Sequence, residues 1–312
     1  MMTRVLVITG PTATGKTGLG VTLAGLFNGE IVSADSMQLY KGMVIGTAAP
    51  TEAEMKGIPH HLIGSVSPFE DYSAARYVEE ASACIEDIAS RNKLPILVGG
   101  TGLYIDSLLS GRGFMGGDKE LREKFALEYD RLGGEEMLRK LSLVDRESAQ
   151  KLHFNDKKRI VRALEVYYTS GKTISQHNWE TKQLPERYKS CKIALNYKDR
   201  SRLYTKINLR VDNMMEAGLK DEVERLLASG LTRQHTAMQA IGYKEIASAL
   251  QGDYDLETAV DMIKLQSRRY AKRQLSWLNN KFDVNWIMWD NEPDYYKASQ
   301  ISTKLLEYTG II

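Results

Sequence analysis

Residues 9 to 18 read TGPTATGKTG, a Gly-x-x-x-x-Gly-Lys-Thr loop directly behind the apolar run VLVIT. A short strand, a glycine-rich turn and a helix start, in that order, make a phosphate-binding P-loop. The glycines let the backbone wrap an anion, and the loop amides and helix N-terminus point at it. Gly10 and Gly15 supply the backbone freedom and Pro11, Thr12, Ala13 and Thr14 the wall. Lys16 reaches terminal phosphate oxygens, and the Thr17 hydroxyl is a ligand for Mg2+. The loop says that phosphates are held; it does not say whose.

Such a loop belongs in a chain that alternates strands and helices, and the first third does so. RVLVIT, EIVSAD and LPILVGG read as strands. Lys16 to Phe27, Ala74 to Arg91 and the stretch from TGLYIDSLL read as helices. The fold class is α/β, a P-loop NTPase or kinase-like core in which parallel strands are covered on both faces. Ligands of such sheets lie at the carboxyl ends of the strands, so the loops after Ile8, Ala34 and Val98 should converge. GFMGG, from Gly113, breaks the pattern, and helical segments without a strand follow to TSGK. The simplest account is a catalytic core of 1–113 and 187–312 with an all-helical insertion at 114–186. CKIALNY returns the chain to the sheet, helices run to Asn280, VNWIMW is a last strand, and a terminal helix extends through Leu306.

With 43% apolar and 26% charged residues the chain is an ordinary globular protein, and 312 residues suffice for one large domain and a satellite. No apolar run has the length of a membrane span and no signal peptide is visible, so a cytoplasmic location without membrane association is expected. Two cysteines, Cys84 and Cys191, rule out a disulfide framework or a Cys/His zinc site, and both are expected in the core.

Three stretches carry further chemistry. In SADSMQLY, Asp35 ends a strand beside the phosphate loop, where it can bind Mg2+ or accept a proton from a nucleophile; alternatively Asp35 or Ser36 caps a helix. In VGGTGLY, Gly99 and Gly100 allow close backbone approach and Thr101 can serve as helix cap and ligand. A hydrolytic P-loop ATPase would carry an acid at the end of this strand, so glycines there disfavour that chemistry. Adjacent His60 and His61 point in opposite directions in an extended chain, which favours loop anchoring or substrate contact over a metal site.

Net charge is only +2, but it is uneven. Between Asp261 and Asp283 the chain carries Lys264, Arg268, Arg269, Lys272, Arg273 and Lys281 with no acid, a helix face suited to an anionic partner. In NDKKRIVRALEVYYTSGK, an Asn155–Asp156 cap precedes Lys157, Lys158, Arg159 and Arg162. Arg159 and Arg162 share a helix face, which suits a phosphate backbone, and such cations oppose the helix dipole unless an external anion uses them.

Taken together, GPTATGKT, SADSMQLYKGMVIGTA, PHHLI, YSAARY, PILVGGTGLYI, NDKKRIVRALEVY, INLRVDNMMEAGL, AMQAIGYKE and YAKRQLSWL are spread along almost the whole chain, and it resembles the bacterial-type tRNA dimethylallyltransferases (tRNA isopentenyltransferases). The resemblance implies transfer of a dimethylallyl group from dimethylallyl diphosphate to the exocyclic amine of adenine 37 in tRNA, with release of diphosphate. It implies a helical insertion that grips the anticodon stem-loop; a monomer is expected. Carried onto this chain, the P-loop and Lys16 would hold diphosphate, with Thr17 on Mg2+. Asp35 would be the base, Arg210 would neutralise the leaving diphosphate, and Asp35, Ser36, Met37 and Gln38 would contact the flipped nucleotide. Thr101 would touch adenine or its sugar. Arg159, Ile160, Val161, Arg162 and Ala163, and Ala240, Ile241, Gly242, Tyr243, Lys244 and Glu245, would contact tRNA.

Chemically this is coherent. An adenine amine is a poor nucleophile, so it needs a leaving group that departs readily, a placed proton acceptor and a base drawn out of its stack. The chain departs from the family where Met37 replaces a usual Arg and where Arg146 and Phe154 replace common prolines, and it shows no zinc-finger tail. Two rivals stay open: an adenylate isopentenyltransferase acting on free nucleotide, and a P-loop nucleoside or nucleotide kinase.

Overall fold

The protein is described by a computed structural model over residues 2–111, 113–281 and 283–312; the side chains of Lys182 and Lys281 also lie outside the described residues. In chain order the elements are β1 (Arg4–Thr9), α1 (Lys16–Leu26), β2 (Gly29–Ala34), α2 (Glu52–Met55), β3 (His60–His61), α3 (Ala74–Ser90), β4 (Leu94–Gly99) and α4 (Gly102–Leu109). Five helices follow: α5 (Lys119–Leu132), α6 (Gly134–Val144), α7 (Arg146–Lys151), α8 (Lys157–Ser170) and α9 (Ile174–Lys182). Then come β5 (Lys189–Tyr197), α10 (Arg200–Glu216), α11 (Leu219–Ala228), a 3-10 turn (Ala237–Gln239), α12 (Tyr243–Leu250), α13 (Leu256–Lys281), β6 (Asn285–Trp289) and α14 (Tyr295–Thr309).

All six strands are parallel, in the order β3-β2-β4-β1-β5-β6. The alternation within β1 explains the layering. Val5 and Val7 join one core with Val32 and Leu97, while Leu6 and Ile8 join a second with Ile31, Ile96 and Ile193 on the other face. Helices cover both faces, so the central strands β1, β2 and β4 are buried along nearly their whole length, as a doubly covered sheet requires, while the edge strands β3 and β6 stay partly exposed. Cys191 belongs to the second core, whereas Cys84 is only half-buried at the margin of the first, short of the fully buried position expected of it.

The chain divides into two compact units, Met1–Leu109 with Tyr188–Ile312, and Ser110–Arg187. The second has its own apolar centre around Phe125, Met137, Leu141, Ile160 and Leu164. Arg146 takes the first position of α7, where a proline would also be accommodated. The histidine pair forms a two-residue edge strand on β2. His61 Nε2 meets Glu30 Oε2 at 2.8 Å and His60 Nδ1 meets the Ile58 carbonyl at 2.8 Å. Arg91 and Lys93 complete the Glu30 cluster and, with the surrounding hydrogen bonds, hold that carboxyl well below the usual range. Among the described residues no helix is long and apolar enough to cross a membrane.

Candidate active site

The phosphate loop is shaped by elements remote in sequence. Gly15 has φ 80°, and a Cβ there would lie 2.8 Å from the Tyr295 hydroxyl; at Gly10 (φ 137°) a Cβ would lie 2.4 Å from the Leu195 carbonyl. Ala13 also takes a positive φ of 63°. Thr14 is buried and its hydroxyl donates to Pro11 O at 2.9 Å, while Trp289 Nε1 donates to Thr14 O at 2.9 Å. Gln274 spans two loops: its Oε1 accepts from Thr12 N at 2.9 Å and its Nε2 donates to Gly100 O at 3.0 Å. A Cβ on residue 100 would press on that Nε2, and one on Gly99, the last residue of β4, would strike the Ala34 backbone carbonyl, which is why the strand ends in glycine.

Two cavities of this unit meet beside the loop. One, of about 420 Å³, is lined by Thr12 to Gly18, Asp35, Gln38, Gly99 and Arg210. The other, of about 320 Å³, is lined by Asp35, Ser36, Met37, Ala240, Ile241 and Lys244 among others. Thr12, Asp35, Arg210 and Tyr270 line both. The loops after β1, β2 and β4 thus converge at the carboxyl edge of the sheet.

The charges at the junction perturb one another. Burial of its ammonium group lowers the Lys16 pKa to about 7; Arg210 pushes the same way and Asp35 opposes. Burial likewise lowers the Arg210 pKa, against Asp35 and Glu54. Two desolvated cations facing one cavity are a standing demand for an anion. Lys16 Nζ donates to Pro11 O at 2.8 Å. Asp35 Oδ1 accepts from Met37 N at 2.9 Å and Gln38 N at 3.3 Å, so the carboxylate caps a tight turn, not a helix. Among the described residues its Oδ2 has no hydrogen-bond partner. Thr101 Oγ1 accepts from Ser36 N at 3.0 Å, tying the start of α4 to that turn.

Other expected residues do different work. Tyr243 and Glu245 are buried: the Tyr243 hydroxyl donates to Glu222 Oε1 at 2.6 Å, and Glu245 Oε2 accepts from Gly242 N at 2.8 Å. With Gly242 (φ 100°) they anchor the start of α12 and leave Ala240, Ile241 and Lys244 on the cavity wall. In the inserted unit, the side chains of Ile160, Val161 and Ala163, expected to contact tRNA, are buried in the core. Arg162 is engaged internally, with Glu165 Oε1 at 2.7 Å and Met115 O at 2.8 Å; Arg159 alone of that segment is exposed, paired with Asp156 at 3.0 Å. Asp156 occupies the N-cap position of α8 but makes no side-chain cap, so the expected Asn155–Asp156 cap is not formed.

The basic run on α13 is likewise less free than it reads. Lys264 pairs with Asp212 at 2.6 Å and Arg268 donates to Asn208 at 2.6 Å. Arg269, Lys272 and Arg273 are exposed, with Arg273 also on the cavity wall over the Tyr270 ring; the Lys281 side chain lies outside the described residues. Tyr270 and Gln274 are site residues to which the sequence assigns no role, and Arg273 reads there only as part of a basic helix face. Their only signal was the stretch YAKRQLSWL, three positions of a long helix whose facing cannot be read without its partners.

A family model described as IPP transferase matches residues 38–281, and one described as Isopentenyl transferase matches 3–67. The tRNA dimethylallyltransferase of Caldanaerobacter subterraneus subsp. tengcongensis is 48% identical over 99% of this chain and 98% of its own. That of Bacillus cereus is 49% identical over 96% and 93%. The crystal structure of the full-length tRNA isopentenylpyrophosphate transferase from Bacillus halodurans superposes with TM-score 0.73 at 38% identity, covering 99% of this chain and 98% of that one. A eukaryotic dimethylallyltransferase acting on tRNA gives TM-score 0.82 at 31% identity, covering 98% and 80%. A sheet edge with a phosphate loop at its centre, matched in sequence and fold along nearly the whole chain, places this protein in the tRNA dimethylallyltransferase family.

Proposed function

We propose that the chain transfers a dimethylallyl group from dimethylallyl diphosphate to the exocyclic amine of adenine 37 in the anticodon loop of tRNA. The observation that carries this reading is the junction of two cavities at Asp35, Arg210, Thr12 and Tyr270. The cavity lined by the phosphate loop takes the diphosphate, and the flipped adenine enters from the other. The amine nitrogen attacks the terminal allylic carbon, the carbon–oxygen bond to diphosphate breaks, and the amine proton passes to Asp35. The turn uses only Oδ1 of that carboxylate, and its place on the cavity wall shared with Lys16 and Arg210 keeps it close to the developing charge. Lys16, Arg210 and the loop amides stabilise the departing diphosphate.

Thr17 is the residue that would hold Mg2+, whose charge would assist departure of the diphosphate. The donor set fits: the Thr17 hydroxyl and the Asp35 carboxylate line the same cavity as Lys16. Mg2+ commonly takes few protein ligands and completes its shell with phosphate oxygens and water. The exposed Arg159, together with Lys244 and Arg273 on the cavity wall, would meet tRNA phosphates or bases.

The test is incubation with Mg2+ and labelled dimethylallyl diphosphate, offering either tRNA or adenosine monophosphate. Label in tRNA alone is the expected result; label only in free nucleotide would overturn the tRNA reading. Asp35→Ala should lower single-turnover transfer by about 100- to 10,000-fold while leaving inorganic diphosphate binding in place. Full turnover by that variant removes Asp35 from the role of base.

A further inference from the structure

Glu222 lies on α11 and is 3% exposed, yet among the described residues no cation pairs with it. A buried carboxylate is costly unless hydrogen bonds satisfy it. Its donors are Val44 N at 3.1 Å, Ile45 N at 3.0 Å, Gly46 N at 3.2 Å and the Tyr243 hydroxyl at 2.6 Å. Three consecutive amides converging on one carboxylate form an anion nest turned inward, with a protein side chain as the anion. The Tyr243 ring presses on the same segment, since a Cβ on Gly46 would lie 2.4 Å from it.

The next carbonyl, Thr47 O, accepts from Arg210 Nη2 at 3.3 Å and from Gln38 Nε2 at 3.3 Å. Gly46 and Thr47 line one cavity, and Arg210 lines both. With the amides of residues 44–46 pinned, the peptide that follows has little freedom to turn, and the guanidinium is held at the mouth between the cavities. We infer that Glu222, together with Tyr243, is a positioning residue for Arg210, acting through the 44–47 segment and its Thr47 carbonyl. This inference rests on the reading of Arg210 as the residue that meets the leaving diphosphate.

The test is calorimetric binding of inorganic diphosphate to the full-length protein and its variants. Arg210→Ala should weaken binding. Tyr243→Phe, which keeps the ring and removes one donor, should weaken it by about two- to tenfold, the worth of one hydrogen bond. Glu222→Gln should weaken it further, and neither change should matter once Arg210 is Ala, because the effect passes through that side chain. Wild-type binding by both Tyr243→Phe and Glu222→Gln would overturn the inference while leaving the role of Arg210 standing. So would losses that simply add to that of Arg210→Ala, as a merely structural effect does. Wild-type binding by Arg210→Ala would instead remove the leaving-group role of Arg210, and the inference with it.

Discussion

Segments 159–163 and 240–245 both match family stretches expected to touch tRNA, and both are mixtures. In the first, Arg159 is exposed while Ile160, Val161 and Ala163 fill the core of the inserted unit. In the second, Ala240, Ile241 and Lys244 line the cavity while Tyr243 and Glu245 hold the helix start from inside. A matched block therefore joins residues that face solvent or a cavity to residues that hold them from inside. Helical periodicity sorts the two in 159–163, and a tight turn sorts them in 240–245.

Substitutions separate the two classes, and the largest effect should come from the core. Ile160→Ala removes a fully buried side chain and should cost about 2–5 kcal/mol of stability, read by denaturant unfolding. The fraction that stays folded should bind tRNA like the parent. If tRNA affinity fell with stability unchanged, the division would be misplaced.

Lys16, half-buried on the cavity wall with its charge desolvated, tests whether a residue packed into the fold can nonetheless be a contact residue. Its folded pKa of about 7 lies below the ordinary 10.5, so the charged form is the one penalised by folding. The penalty is full below about pH 7. It is relieved as pH rises from there towards 10.5, so the ligand-free protein should gain stability over that window. Diphosphate restores the charge, so binding above about pH 7 should take up a proton, visible as buffer-dependent heat. Lys16→Arg, charged throughout, should take up less.

Arg162→Ala should cost about 1–3 kcal/mol, because Glu165 is buried and loses one of its partners. It should change tRNA affinity little. Arg159→Ala should do the reverse, leaving stability within about 0.5 kcal/mol and reducing the salt slope of tRNA binding by about one unit. An unchanged slope would mean that Arg159 serves only Asp156.

What could be read from the chain was local. The strand, loop and helix around residues 10–17, the acid after β2 and the glycines after β4 are each a few consecutive residues whose geometry follows from their own backbone. What could not be read depends on partners far along the chain. Gln274 meets Thr12, Glu222 meets residues 44–46, and Lys264 in an apparently acid-free run meets Asp212 on another helix. Charge counts along a sequence miss such pairing. Arg162 and Arg159 read alike in the sequence, yet Glu165 takes one inward and leaves the other exposed.

The phosphate loop is written in the first residues of the chain, but Gln274, Trp289 and Tyr295 supply its struts. On the ribosome, the loop is therefore made early and completed late. Until Tyr295 has been synthesised and β6 has joined the sheet, the nascent chain carries the motif without the cradle. Diphosphate should then rescue no fragment that stops short of α14, although every residue of the motif is present in it.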